Sequence, residues 1–323
     1  MDVRAVRNGA PMGKTAIAVA GLSKSYGDKV VLDGIDFEVA AGSVFSMLGP
    51  NGAGKTTTVN ILATLMKADA GSVRVGGHDV LTATRQVRSV IGVTGQFAAV
   101  DELLSGRENL QLVADLKRVR SSGQVVTRLL ERFDLVDAAD KLAATYSGGM
   151  RRRLDLAMTL VGDPQIIFLD EPTTGLDPRS RRAMWGIVRE MVADGVTIFL
   201  TTQYLDEADQ LADQVVVLDH GRMVAAGTPA ELKRRVPGTH VRLRFDTLAA
   251  LDGAARLLSG SVRDDQELTL RVPSDGGSRS LRALLEKLDE NLINAEEFSV
   301  HTPDLDDVFL ALTGRPKVEA VAT

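Results

Sequence analysis

The segment Gly49-Pro-Asn-Gly-Ala-Gly-Lys-Thr56 constrains this chain more than any other. It matches G-x-x-x-x-G-K-[ST] in full, directly after the apolar run Val44–Leu48 and before a helix expected over residues 56–65. Glycines let the backbone wrap a phosphate, so that consecutive N–H groups point inward. The following helix presents its positive end to the same anion. Lys55 can then reach the β- and γ-phosphates, and the Thr56 hydroxyl can coordinate Mg²⁺. The bland alternative is a Gly-rich turn with an exposed lysine. It gives no reason for the loop to sit between an apolar strand and a helix, which is the strand–loop–helix unit of an α/β domain.

Length and composition set the frame. At roughly 100–200 residues per domain, 323 residues make one large domain and a smaller one. A hydrophobic fraction of 44% and a charged fraction of 25% are those of a globular protein with a sizeable core. The net charge of −5 excludes an overall electrostatic nucleic-acid binder. An aromatic content of 4% argues against a stacking surface for single strands. Without cysteine there are no disulfides or thiolate zinc sites, and His78, His220, His240 and His301 show no ligand spacing. No apolar run reaches the roughly 18 residues needed to span a bilayer. The short run from Thr15 to Leu22 superficially resembles a signal peptide, but it leads into Ser23-Lys-Ser-Tyr-Gly27 and reads as a first strand. A role at a membrane would need another chain to cross it.

Residues 1–14 read as a flexible N-terminal segment. Strands are expected at 16–19, 30–39, 44–48, 72–75 and 90–93, then at 165–169, 196–201 and 215–218. Continuous apolar strands separated by helices such as 180–192 imply a parallel sheet covered on both faces. Helical spacing at 110–116, 125–133 and 154–160 marks a helical insertion, about residues 98–162, within a larger domain over 15–236. Pro237-Gly238 punctuates the chain. Strand-like 240–245, helix-like 248–259, strand-like 267–272, helix-like 278–288 and strand-like 295–300 follow, and Pro303 stands in the first turn of a last helix at 304–312. These form a small α/β domain over 238–314, with a flexible tail at 315–323.

Asp170 closes the second apolar strand, where a Mg²⁺-holding carboxylate belongs. Glu171 follows and can polarise the water that attacks a γ-phosphate. Acids at strand ends are common, and the pairing with the phosphate loop favours the functional reading. Tyr146-Ser-Gly-Gly-Met150 opens a helix rich in arginine. It is either a second anion cradle, serving another subunit's nucleotide, or a plain N-cap by Ser147. Arg151–Arg153 reads as a solvated helix end with one arginine supporting the nucleotide interface, in preference to a nucleic-acid patch.

Gly49–Thr56, Tyr146–Met150 before a helix, Ile166–Glu171 with Pro172, and Gly175-Leu-Asp-Pro178 stand in the order and spacing of ATP-binding cassette (ABC) ATPases, which the chain resembles over about residues 16–236. The fold implied is a P-loop NTPase with a mixed sheet core and a helical insertion. The resemblance implies that Tyr26 stacks on adenine. It implies that Gly49, Pro50, Asn51, Gly52, Ala53, Gly54, Lys55, Thr56 and Thr57 hold the phosphates. Gln96 would touch Mg²⁺ and the attacking water, beside Thr56 and Asp170. It further implies a head-to-tail homodimer in which Ser147, Gly148 and Gly149 cover the partner's ATP, with Asp177 at the interface.

Two departures stand out. Tyr146 and Met150 replace the ends of the usual Leu-Ser-Gly-Gly-Gln signature, with its Ser-Gly-Gly core intact. Gln203 stands where a histidine is usual; its amide can donate to a γ-phosphate but carries no charge. That glutamine, Tyr146-Ser-Gly-Gly-Met-Arg-Arg-Arg153 and Leu305-Asp-Asp-Val-Phe-Leu-Ala-Leu312 are similar to the daunorubicin-resistance type of ABC exporter ATPase, which extends the resemblance to about Gly314. The implied function is ATP hydrolysis coupled to export of a hydrophobic drug, antibiotic or lipid through a separate membrane permease. Glu171, Lys55, Gln96 and Gln203 would be the catalytic residues, and the protein would lie in the cytoplasm on the inner face of the cell membrane. The alternatives are a non-transport ABC ATPase acting on nucleic acid or ribosomes, and a slow-turnover nucleotide sensor. The small domain would stabilise the dimer, contact the membrane subunit or serve as a packing extension.

Overall fold

All residues of Val44–Leu48, Ile166–Asp170 and Thr197–Thr202 are buried, as a sheet covered on both faces requires. The computed structural model describes residues 14–95, 99–235, 239–275, 277–301 and 304–313. It divides into two units, Met1–Pro229 and Ala230–Thr323. The division falls after Pro229, earlier than the expected punctuation at Pro237-Gly238.

In the first unit β1 (Thr15–Tyr26), β2 (Lys29–Ala40) and β3 (Val44–Leu48) lead to α1 (Lys55–Leu62). Then come β4 (Ala70–Val75), β5 (His78–Asp79), α2 (Thr84–Val90) and β6 (Ile91–Thr94). The helices α3 (Gly106–Leu116), α4 (Ser122–Arg132) and α5 (Gly148–Leu160) form the expected insertion. After it run β7 (Ile166–Asp170), α6 (Pro178–Ala193), β8 (Thr197–Thr202), α7 (Leu205–Leu211), β9 (Gln214–Asp219) and β10 (Arg222–Gly227).

The main sheet has the order β10-β9-β3-β8-β7-β6, parallel except for β10. A second, antiparallel sheet, β2-β1-β4-β5, was not separately legible in the sequence. Its strands interrupt their alternation with register shifts, so the two-residue period is broken. One face of the main sheet (Val44, Ile167, Leu169, Ile198, Leu200) packs with the apolar stripes of α3 to α6. The other face packs with α1 and the antiparallel sheet. There the rings of Phe37, Phe45 and Phe199 stack and that of Phe168 packs tilted on Phe199, with successive centroids 5.1, 5.3 and 5.7 Å apart.

The expected helix over 56–65 ends at Leu62. Thr64 turns left-handed (φ 61°), and Arg88 donates to its hydroxyl at 2.8 Å and its carbonyl at 3.2 Å. α6 begins at Pro178 under an Asp177 cap that accepts from the N–H groups of Arg179 and Ser180.

The short helix α8 (Pro229–Arg235) leads into the second unit. There β11 (His240–Arg244), α9 (Leu248–Leu257), β12 (Val262–Asp264), β13 (Thr269–Pro273), α10 (Ser278–Glu290), β14 (Glu297–His301) and α11 (Leu305–Thr313) follow. Its antiparallel sheet runs β12-β13-β11-β14, with α9 and α10 contributing Leu251, Ala254, Leu284 and Leu288 to a separate core. His240 and His301 sit side by side across β11 and β14, their ring centroids 4.8 Å apart. Among the described residues no group of three or more metal-ligating side chains could hold a metal ion. Pro303, expected in the first turn of the last helix, lies outside the described residues.

Candidate nucleotide site

Parallel register places Leu48 beside Thr202 and Asp170 beside Thr201, so β3, β7 and β8 end together. Ligands bind at this carboxyl end in open α/β sheets. Three loops leave it: the glycine loop after β3, Glu171 after β7 and Gln203 after β8. The N–H of Gly49 donates to the carbonyl of Thr202 at 3.2 Å, tying the first loop to the third.

Gly49 and Gly54 are sterically required. A β-carbon on Gly49 would lie 2.3 Å from the Leu218 carbonyl oxygen. Gly54 has φ 111°, and a β-carbon there would lie 2.6 Å from Leu32 and 2.8 Å from the Val31 carbonyl oxygen. α1 starts at Lys55 with no side-chain cap on its first turn, leaving those N–H groups for an anion. Thr56 is exposed and Thr57 half-buried at this end, while Asn51 and Gly52 form the exposed tip of the loop. Pro50 accepts from Ala53 N–H at 3.2 Å, which closes the turn.

Lys55 is only 4% exposed, and its ammonium donates to the carbonyls of Gly49 (2.7 Å) and Pro50 (3.2 Å). It also pairs with Glu171 Oε1 at 3.1 Å. Glu171 is buried and sits in the left-handed region at φ 49°, a costly conformation for a residue with a side chain. Its N–H donates to Thr201, whose hydroxyl also donates to Asp170. The donor set fits Mg-ATP: uncapped N–H groups and a lysine for phosphate, a hydroxyl at Thr56 and a carboxylate at Asp170 for a hard cation.

The remaining sequence-derived residues lie as follows. Tyr26 ends β1 with its ring 48% exposed, its hydroxyl on Met66 Sδ at 2.9 Å and Lys24 Nζ 5.8 Å from its centroid. Gln203 is half-buried after β8. Ser147 caps α5, accepting from Met150 N–H at 3.2 Å, so the plain-cap reading holds within one chain. Its hydroxyl hydrogen remains able to donate. Gly148 is open on its side-chain position, whereas Gly149 faces Ser180 Oγ, 2.7 Å from where a β-carbon would stand. Tyr146 is buried and donates to the Ala138 carbonyl at 2.6 Å. Gln96 lies outside the described residues.

The arginine run is not a solvated helix end. Arg151 pairs with Glu102, Arg153 reaches the carbonyl of Phe133 and the Asp134 side chain, and Arg152 is buried against Asp155. The acid three residues after Arg152 was the available sign. A cavity of about 500 Å³, lined by Arg128, Arg132, Gln165 and Thr197 among others, opens at the opposite ends of β7 and β8 and takes no part in this site.

The strand–loop–helix cradle and the acid-ended neighbouring strand define a P-loop nucleotide-binding protein. A family model described as ABC transporter matches residues 32–174. The chain is 48% identical over 307 residues to the daunorubicin resistance ATP-binding protein DrrA3 of Streptomyces coeruleorubidus, covering 94% of this chain and 97% of the relative. It is 38% identical over 318 residues to the Nod factor export ATP-binding protein I of Rhizobium sp. (strain N33), covering 94% and 99%. A solved ATP-binding cassette of an ABC transporter in its ADP conformation superposes with a TM-score of 0.61 at 26% identity, covering 67% of this chain and 92% of that one. The chain therefore belongs to the ABC transporter ATP-binding family, whose members are ATPases, as the signature segments implied.

Proposed function

We propose that this chain is the ATP-hydrolysing subunit of an exporter, in which two copies enclose two Mg-ATP head to tail and drive a separate membrane permease. The observation that carries the hydrolytic reading is the meeting of Lys55 and Glu171 at 3.1 Å beside uncapped helix N–H groups. One ammonium cannot fully neutralise both Glu171 and a γ-phosphate. ATP therefore competes for Lys55, and the released carboxylate serves as general base. A water attacks the γ-phosphorus in line, Glu171 takes its proton, and the bond to the bridging oxygen breaks with its electron pair leaving on ADP. Lys55 and the N–H groups of the loop from Gly49 to Thr57 stabilise the phosphate charge. Mg²⁺, when held by Thr56, Asp170 and Gln96, would supply further charge neutralisation.

Tyr26 offers an exposed ring for adenine, and Gln203 an amide for the γ-phosphate. Ser147, Gly148 and Gly149 would complete the partner's site, with Asp177 nearby at the interface. Among the described residues no helix is long and apolar enough to cross a membrane, so transport would need the permease, at the inner face of the cell membrane. Leu103, 84% exposed ahead of α3, offers that partner an apolar contact. Export of a hydrophobic drug, antibiotic or lipid rests on relatives named for daunorubicin resistance and Nod factor export.

Phosphate release and ATP titration test the hydrolytic reading together. Lys55→Ala is expected to lose nucleotide affinity, and Glu171→Gln to keep affinity while losing hydrolysis. Normal turnover by Glu171→Gln would remove the base from the account.

A further inference from the structure

Arg152 reaches further than a salt bridge. Its Nε donates to the Pro172 carbonyl at 2.8 Å and its Nη2 to the Asp170 carbonyl at 3.4 Å. Those carbonyls belong to the two residues flanking Glu171. Its Nη1 donates to the Gly95 carbonyl at 2.8 Å and to Asp155 Oδ2 at 3.2 Å. The other Asp155 oxygen accepts from Ala99 N–H at 2.9 Å. Arginine and aspartate are 7% and 3% exposed.

A left-handed, non-glycine residue persists only where its surroundings over-determine it. Glu171 is such a residue (φ 49°), held from one side by Thr201. The planar fork of a guanidinium fixes its donors at set angles to several carbonyls, whereas the ammonium of a lysine swings on a flexible stem. We infer that Arg152, oriented by Asp155, is a positioning residue that holds the backbone on both sides of Glu171 so that its carboxylate is aimed for catalysis. The same pair anchors Gly95 and Ala99, so the chain on either side of residues 96–98 is tied to the Glu171 turn through one side-chain pair.

This inference rests on Glu171 being the base. The test compares Arg152→Lys and Asp155→Asn with the parent protein by steady-state kinetics, thermal melting and single-turnover hydrolysis scored per bound ATP. Scoring per bound ATP removes any unfolded fraction. Asp155→Asn keeps an acceptor for Ala99 N–H but removes the charge facing Arg152. Arg152→Lys should lower kcat and the single-turnover rate at least about tenfold, with KM for ATP and Tm little changed, and Asp155→Asn should lower them severalfold. A parental single-turnover rate in Arg152→Lys overturns the inference, and one in Asp155→Asn alone removes Asp155 from it. A loss confined to ATP affinity or Tm, which is what a purely structural pair would give, also overturns it. The two readings fail separately. Hydrolysis by Glu171→Gln removes the base whatever Arg152 does; a dead Glu171→Gln beside a fully active Arg152→Lys removes only the positioning role.

Discussion

Gly106 opens α3 directly against Tyr146, the residue that replaces the usual leucine of the signature. A β-carbon on Gly106 would lie 2.1 Å from the Tyr146 hydroxyl, which is pinned by its bond to Ala138. Gly106→Ala is expected to destabilise by about 1–3 kcal/mol through overpacking. In a Tyr146→Leu background most of that penalty should vanish, giving a coupling energy measurable by denaturant unfolding. Glu207 makes a second residue-scale prediction. It is fully buried, and burial pushes its carboxyl above the usual range although Trp185 Nε1 donates to it at 3.2 Å. Because the folded pKa is raised, the folded chain takes up the proton first as pH falls. The cost of burying the charge is thus greatest above the folded pKa and relieved below it. The Tm difference, Glu207→Gln minus parent, should therefore be more positive at about pH 8 than at about pH 5; an unchanged difference would contradict a buried charge. The phosphate loop and the Asp170-Glu171 pair were legible because each is contiguous and its chemistry is local. The hold of Arg152 was not, because it joins Gly95, Asp170 and Pro172, which meet only in the folded chain.

Among the elements, β3, β7 and β8 were nearly complete in the sequence because continuous burial writes an uninterrupted apolar run. The antiparallel sheet, the short α7 and strand β10 were less legible. Their exposure is mixed or their length too small for a period to declare itself. The phenylalanine stack is the join between the two sheets of the first unit, with Phe37 on β2 and Phe45, Phe168 and Phe199 on adjacent strands of the main sheet. Phe199 is central and fully buried, so Phe199→Ala is expected to cost about 3–5 kcal/mol in chemical unfolding. Those strands carry Asp170 and Thr202 at their ends, so ATP affinity should fall with stability. A loss of under about 1 kcal/mol would mean that the sheets are joined elsewhere.

For the whole molecule, the signature segment is the part whose proposed role needs two copies. Ser147, Gly148 and Gly149 stand at the start of α5, and within one chain Ser147 only caps that helix. A second copy would give this glycine-rich helix start a nucleotide to cover, as proposed above. The negative charge and the scarcity of aromatic residues argue against nucleic acid as the partner. The central claim is that ATP binds between two copies and is hydrolysed with Glu171 as base. Light scattering of Glu171→Gln during size exclusion, with and without Mg-ATP, tests it most directly. The expected result is a nucleotide-dependent dimer that retains ATP and is lost on adding Ser147→Arg. A monomer that still binds ATP, or a dimer indifferent to Ser147→Arg, would contradict it.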